Sequence, residues 1–315
     1  MKKRLFLGFG LAIILLFLVT RLFQITKNPS SLYWDEASLL YNGYSIGIDG
    51  KDEWGEFLPI HFRAFGEFKL PVYIYTTAVF TKLFGLSELS VRLPAVLFSL
   101  GVILVLFFIT FQLTKSKLTG LIGAFLLVVM PWFFIFSRTG FEVTSGMFFY
   151  NLGILLLLLQ KRRRLMIMLA AVAFCLSMYS YNAFRLTAIP TFLLVMLVVY
   201  SNQQKKWRGN LLKSVKRHWL TLLLSTVFFG VALVPIVRLF LFDSGFNRIL
   251  GLSLFPIVRV VTWQDQHFLR VIPPTGGWEA LGGNYLTILK NILSYLLPDF
   301  LFVNGDANPR HQLAG

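Results

Sequence analysis

The sequence is poor in charge: Asp, Glu, Lys and Arg make up 14% of its 315 residues, against 56% apolar types. Soluble domains hold roughly a quarter charged residues, so a water-exposed multidomain enzyme is excluded. Cysteine is nearly absent. The single Cys175 lies inside an apolar run, which rules out an internal disulfide and gives it the plain role of a small buried hydrophobe. A phosphate-cradling glycine-rich loop, a Ser/His/Asp order and a Cys/His metal spacing are all missing, and with them any visible site for soluble nucleotide chemistry. No internal repeat, low-complexity tract or soluble-domain linker interrupts the chain. No small-residue cleavage site follows Val19 either, so the start is a retained anchor: Lys2, Lys3 and Arg4, then an apolar run over residues 5–23.

Acids are absent where bases are dense. Half of the thirty basic residues fall in four short blocks: residues 2–4, Lys115 with Lys117, residues 161–164, and residues 205–217. None of the fourteen acids lies in any of them. A formal charge of +16 spread in this way is positive-inside patterning with attraction to anionic lipid headgroups. A nucleic-acid partner would need a basic patch on a water-exposed fold, and the sequence has none.

What is present is a set of long apolar runs. Seven are read as spans: residues 5–23, 91–113, 118–136, 144–160, 165–184, 186–200 and 219–242. With the N-terminus cytoplasmic, every basic block falls inside, and residues 24–90, 137–143 and 243–315 fall outside, with a tight outer turn at residues 182–185. The run at residues 71–85 is about fourteen residues long, short for a span. If it crossed, every later basic block would move outside. It is therefore expected to lie on or partly in the outer leaflet. Residues 285–303, which carry Lys290, Pro298 and Asp299, are likewise kept outside, as is the C-terminus. The fold class is an all-α polytopic membrane protein of about seven spans, a single module over residues 1–315. Its large outer loops carry juxtamembrane helices, and a turn over residues 50–56 sits in the first of them.

The outer segments hold the candidate chemistry, since loops of such length are usually functional. In Tyr33-Trp34-Asp35-Glu36-Ala37-Ser38, two carboxylates stand just beyond the first span, where charge close to lipid is costly and a functional role is the default reading. Neighbours on a helix diverge by about 100°, so one acid faces the site while the other supports the loop or a metal. A helix cap by Asp35 is the plainer alternative. Glu142 lies in a turn so short that it must sit near the bilayer surface, with a local ion pair to Arg138 as its alternative. Asp35, Glu36 and Glu142 in one cluster would raise the pKa of one member or hold a divalent cation through oxygen ligands. Lys69, with Glu67 beside it, precedes the interfacial run, where a cation can hold a lipid-linked phosphate. Arg92, Arg185, Arg270 and Arg310 are further phosphate candidates, with snorkelling to headgroups as the alternative for each. Arg185 lies between two apolar runs, where a charge needs a partner. His311 is a candidate for acid–base work beside a solvated-loop alternative.

At these residues the chain resembles a known family. The segments are Tyr33-Trp34-Asp35-Glu36-Ala37-Ser38, then residues 52–59, then Phe65-Gly66-Glu67-Phe68-Lys69-Leu70-Pro71, then Val91-Arg92-Leu93-Pro94, with a late motif over residues 305–311. Together they resemble bacterial GT-C glycosyltransferases of the protein O-mannosyltransferase and aminoarabinose-transferase superfamily, which use polyprenyl-phosphate sugar donors.

The resemblance implies a GT-C helix bundle in the plasma (inner) membrane. It implies transfer on the extracytoplasmic face, with inversion, to a glycan, lipid or protein acceptor. Asp35 would match the first-loop acid, with Glu36 adjoining it among the catalytic acids, and Glu142 the second acid, often Asp in the family. Lys69 would match the lysine facing the donor phosphate, supported by Arg185 and Arg310, with Glu67 and His311 as helpers. The usual Lys-Pro-Pro reads here as Lys69-Leu70-Pro71. No cofactor is implied beyond a divalent metal on Asp35, Glu67 and Glu142. Family members continue through further spans, so the chain is expected to stop within the 243–315 outer loop. The rival readings are a transporter or lipid flippase, whose path would be lined by Arg185 and Glu142, and an inactive assembly subunit.

Overall fold

The computed structural model describes residues 3–65, 67–160, 164–202 and 207–242, with single positions between 289 and 298. Most of this is helix. Among the described residues ten helices follow in chain order: α1 (Lys3–Leu22), α2 (Trp34–Asp49), α3 (Pro71–Phe84), α4 (Glu88–Thr114), α5 (Lys117–Val129), α6 (Pro131–Phe136), α7 (Val143–Leu159), α8 (Arg164–Met178), α9 (Asn182–Asn202) and α10 (Trp207–Phe242). A two-stranded hairpin, β1 (Phe62–Ala64) and β2 (Glu67–Lys69), stands between α2 and α3. The chain is an all-α membrane protein. Three stretches, Arg4–Leu22, Glu88–Thr114 and Asn182–Val199, are long and apolar enough to cross a bilayer, and α5, α7, α8 and the 223–239 part of α10 are shorter apolar helices. Two compact units divide the chain, Met1–Phe62 with Lys69–Leu233, and Arg63–Phe68 with Val234–Gly315. The bundle below belongs to the first.

Helix ends follow local chemistry. The Ser116 hydroxyl accepts from the Thr119 amide at 3.2 Å and starts α5. Gly50 ends α2 at φ 76°, a conformation open to glycine, and returns its amide to the Ile46 carbonyl at 3.1 Å. Two differences from the sequence reading stand out. The apolar run at 118–136 is split at Met130, because Pro131 has no amide to continue the ladder and instead opens α6. The outer turn expected at 182–185 lies at residues 179–181, so Arg185 sits in the first turn of α9.

Lipid gives helices no hydrophobic reason to associate, so they meet where small residues permit close packing. Glycines act as sockets for phenylalanine rings. A Cβ on Gly101 would meet the Phe148 ring at 2.5 Å, one on Gly146 the Phe184 ring at 2.5 Å, and one on Gly153 the Phe174 ring at 2.8 Å. These contacts join α4 to α7, α7 to α9 and α7 to α8. Gly43 does the same for α2 and α3, where a Cβ would reach Thr77 Cγ2 at 2.8 Å.

The bundle has two distinct ends. At one, the Lys117 ammonium lies over the Phe6 ring at 5.3 Å, so the start of α1 meets the α4–α5 turn. At the other, the Arg138 guanidinium beyond α6 binds the Thr20 carbonyl at the close of α1, and the Val72 amide donates to the Tyr179 carbonyl in the α8–α9 turn at 3.3 Å. Both ends of α3 stay here as well. The Tyr73 hydroxyl donates to the Val91 carbonyl at 2.6 Å, and Ser90 Oγ donates to the Gly85 carbonyl at 2.7 Å, so the helix begins and finishes against the same turn of α4.

Candidate functional site

This second end collects most of the buried charges among the described residues. The hairpin delivers Lys69 as its last residue, and Pro71 two positions later fixes the first turn of α3. The Lys69 side chain is 5% exposed, and its ammonium lies 2.6 Å from Asp35 Oδ1 and 3.5 Å from Glu142 Oε1. Three segments far apart in sequence thus meet: the first turn of α2, the last residue of β2, and the residue before α7. Asp35 is the most open of the three, with 23% of its side chain exposed, and Glu142 keeps 9%. Tyr33, not Asp35, takes the capping position of α2.

Glu36 faces the other way and is fully enclosed. Its Oε1 accepts from the Gly140 amide at 2.7 Å and from Arg92 Nε at 3.0 Å. Its Oε2 accepts from the Tyr33 amide at 3.0 Å and from Arg92 Nη2 at 3.3 Å. Four bonds fill the lone pairs of an ionised carboxylate. Arg92 is equally saturated, since its remaining donors reach the Ile25, Pro29 and Ser31 carbonyls at 2.7, 3.0 and 3.0 Å. A guanidinium has five N–H groups, so none is left for a phosphate.

Arg138 also departs from the sequence reading. Its guanidinium binds the Asn28 and Thr20 carbonyls at 2.8 Å each and the Phe23 carbonyl, and Glu142 pairs with Lys69 instead. The carbonyls closing α1 carry the negative end of its dipole, which suits a cation held there. Burial, and then the charge of nearby Arg92, lowers the Arg138 pKa from its ordinary value. Tyr73 is pushed well above the usual phenol range by burial first and by the Glu36 and Glu142 charges next, so it stays a neutral hydrogen-bond donor.

Arg185 lies near this end as well. It is half-buried, and its Nε donates to the Met178 carbonyl at 3.4 Å, beside the turn that meets Val72. Arg310, His311, Arg270 and all but four positions of the 243–315 segment lie outside the described residues, as does the side chain of Glu67. Among the described residues no group of three or more His, Cys, Asp or Glu side chains could hold a metal ion, and the Asp35–Glu142 pair already brackets an ammonium.

Sequence reasoning overlooked Gly140 and the tie between Glu36 and Arg92. A signal for the latter was there: Arg92 begins an apolar run and needs a partner. Nothing local marks Gly140 as a donor to Glu36.

Chemically, the open centre offers a carboxylate to take a proton, a cation to neutralise a departing anion, and a second carboxylate to hold that cation. Residues 69–234 match the dolichyl-phosphate-mannose-protein mannosyltransferase family. No curated protein and no solved structure matches the chain. The matched segment opens on Lys69 and includes Arg92, Arg138 and Glu142, while Asp35 and Glu36 precede it. Covering more than half of the sequence, the match means that the chain belongs to the dolichyl-phosphate-mannose-protein mannosyltransferase family and is a membrane glycosyltransferase of the GT-C type.

Proposed function

We propose that this glycosyltransferase moves a sugar from a polyprenyl-phosphate donor to an acceptor hydroxyl at the extracytoplasmic surface of the plasma membrane, inverting the anomeric carbon. The observation that carries the reading is the placement of Lys69 between Asp35 and Glu142, 2.6 and 3.5 Å away. Asp35 accepts the acceptor's hydroxyl proton as general base. The freed oxygen attacks the anomeric carbon from the face opposite the phosphate, and the bond to the phosphate oxygen breaks with its electrons. Lys69 then neutralises the polyprenyl phosphate that leaves, with Arg185 as a second cation. Glu142 keeps the ammonium in place between turnovers. A phosphate is already a good leaving group, so no strong acid is needed.

The family description names a dolichyl-phosphate-linked mannose and a protein acceptor, which supports a polyprenyl-phosphate-linked donor. The acceptor is a hydroxyl on a protein, a lipid or a glycan. Positive-inside patterning supports the orientation: the basic blocks around Lys3 and Lys117 sit at the bundle end opposite the acids.

The test incubates purified protein with a panel of polyprenyl-phosphate sugars and an acceptor-rich membrane extract. Expected are consumption of one donor, release of polyprenyl phosphate, and a product of opposite anomeric configuration. Retained configuration would refute the single-displacement step. Consumption of no donor would refute the transfer reading.

A further inference from the structure

We infer that Glu36 is a positioning residue which, through Arg92 and the Gly140 amide, sets Asp35 and Glu142 on either side of Lys69. Its kinetic consequences rest on the transfer reading above; its structural consequences do not.

Glu36 is one residue from Asp35, and Gly140 is two residues from Glu142. The single carboxylate of Glu36 therefore ties the segment bearing one site acid to the segment bearing the other. Because successive helical side chains diverge by about 100°, fixing Glu36 inward also fixes the direction of Asp35. Gly140 is seated so tightly that a Cβ there would meet the Val91 carbonyl oxygen at 2.9 Å, which leaves the turn no room to slide along α4.

The segment leading from α1 to α2 is held from two sides. Arg92 on α4 takes the carbonyls of residues 25, 29 and 31, and Arg138 in the α6–α7 turn takes those of residues 20, 23 and 28. Alternating capture of this kind locks the approach to Asp35 to both elements at once. Beside it the Tyr33 and Phe141 rings lie 5.9 Å apart, next to the junction that Glu36 makes. Glu36 itself has no exposed surface and no spare lone pair, so it acts through its neighbours and does not touch substrate.

The test uses the membrane-embedded chain with Cys175→Ala, Tyr33→Cys and Phe141→Cys, and reads the rate of oxidative cross-linking. In this background the two thiols should join readily. Adding Glu36→Gln puts an amide donor against Arg92 and Gly140 and should slow the cross-link several-fold, while Asp35→Asn should leave it unchanged. Gly140→Ala keeps both charges and lifts only the turn. It should slow the cross-link in the same direction, and it decides the question if Glu36→Gln fails to insert.

In the chain without cysteine changes, Glu36→Gln should lower kcat by about 10- to 100-fold, the scale of a displacement near 1 Å. Donor KM and the acid limb of the pH profile should stay where they are. A cross-link rate indifferent to Glu36→Gln would overturn the inference, and so would loss of the acid limb, which would make Glu36 the base. If the unaltered chain consumes no donor, the transfer reading falls, and the cross-linking series alone still decides whether Glu36 joins the two segments.

Discussion

Asp35 and Glu36 are neighbours in sequence and opposites in environment. Glu36 and its partner Arg92 are sealed from solvent, and every hydrogen-bonding position of both is filled. Asp35 keeps 23% of its side chain open and shares Lys69 with Glu142. A saturated pair has no capacity for a ligand, so its contribution is geometric. An open, three-membered group has both exposure and charge to offer to one. The comparison separates two environments that adjacency in sequence conceals: one acid is built into the end of the bundle and the other is open to a ligand.

The contrast breaks most strongly at Arg92. Arg92→Met leaves a buried carboxylate uncompensated and should cost about 3–5 kcal/mol of stability, seen as a fall in yield and in the thermal unfolding midpoint. The same measurement on Asp35→Asn should show little change. Lys69→Met leaves Glu142 and the more open Asp35 without their shared cation, so it should cost less stability than Arg92→Met but more than Asp35→Asn. It should reduce turnover by about 10²- to 10³-fold, the scale for loss of one electrostatic stabiliser, with Lys69→Arg recovering part of it. Glu142→Gln removes one of the charges that hold the ammonium beside Asp35, and a decline of about tenfold, or ~1.4 kcal/mol of barrier, is expected in kcat. Smallest is Gly43→Ala, which wedges a methyl between α2 and α3 against Thr77. It should cost about 1 kcal/mol of stability and shift unfolding without changing donor KM.

Much of the fold was legible because lipid imposes a strong pattern. Apolar runs and basic blocks placed α1, α4, α7 and α9 close to their observed bounds. The break at Met130 was missed although Pro131 signals it, since an apolar run read by hydropathy conceals a missing amide. The β1–β2 hairpin was missed because its three-residue strands are too short to show alternation.

At the site, residue types were legible and partners were not. Arg138 and Glu142 are four apart, the spacing of a helical ion pair, but they precede α7, so the spacing carries no geometry. Arg92 looked like a phosphate ligand because the carbonyls that satisfy it belong to a segment some sixty residues earlier. Which of Asp35 and Glu36 faces inward depends on that same long-range contact, and no local pattern encodes it.

The central claim is that Asp35 of the open centre performs transfer. Its most direct measurement is donor turnover by the unaltered protein and by Asp35→Asn, side by side at equal folded concentration in the same membrane. Release of polyprenyl phosphate is expected from the first and none above background from the second. Equal rates from the two proteins would contradict it.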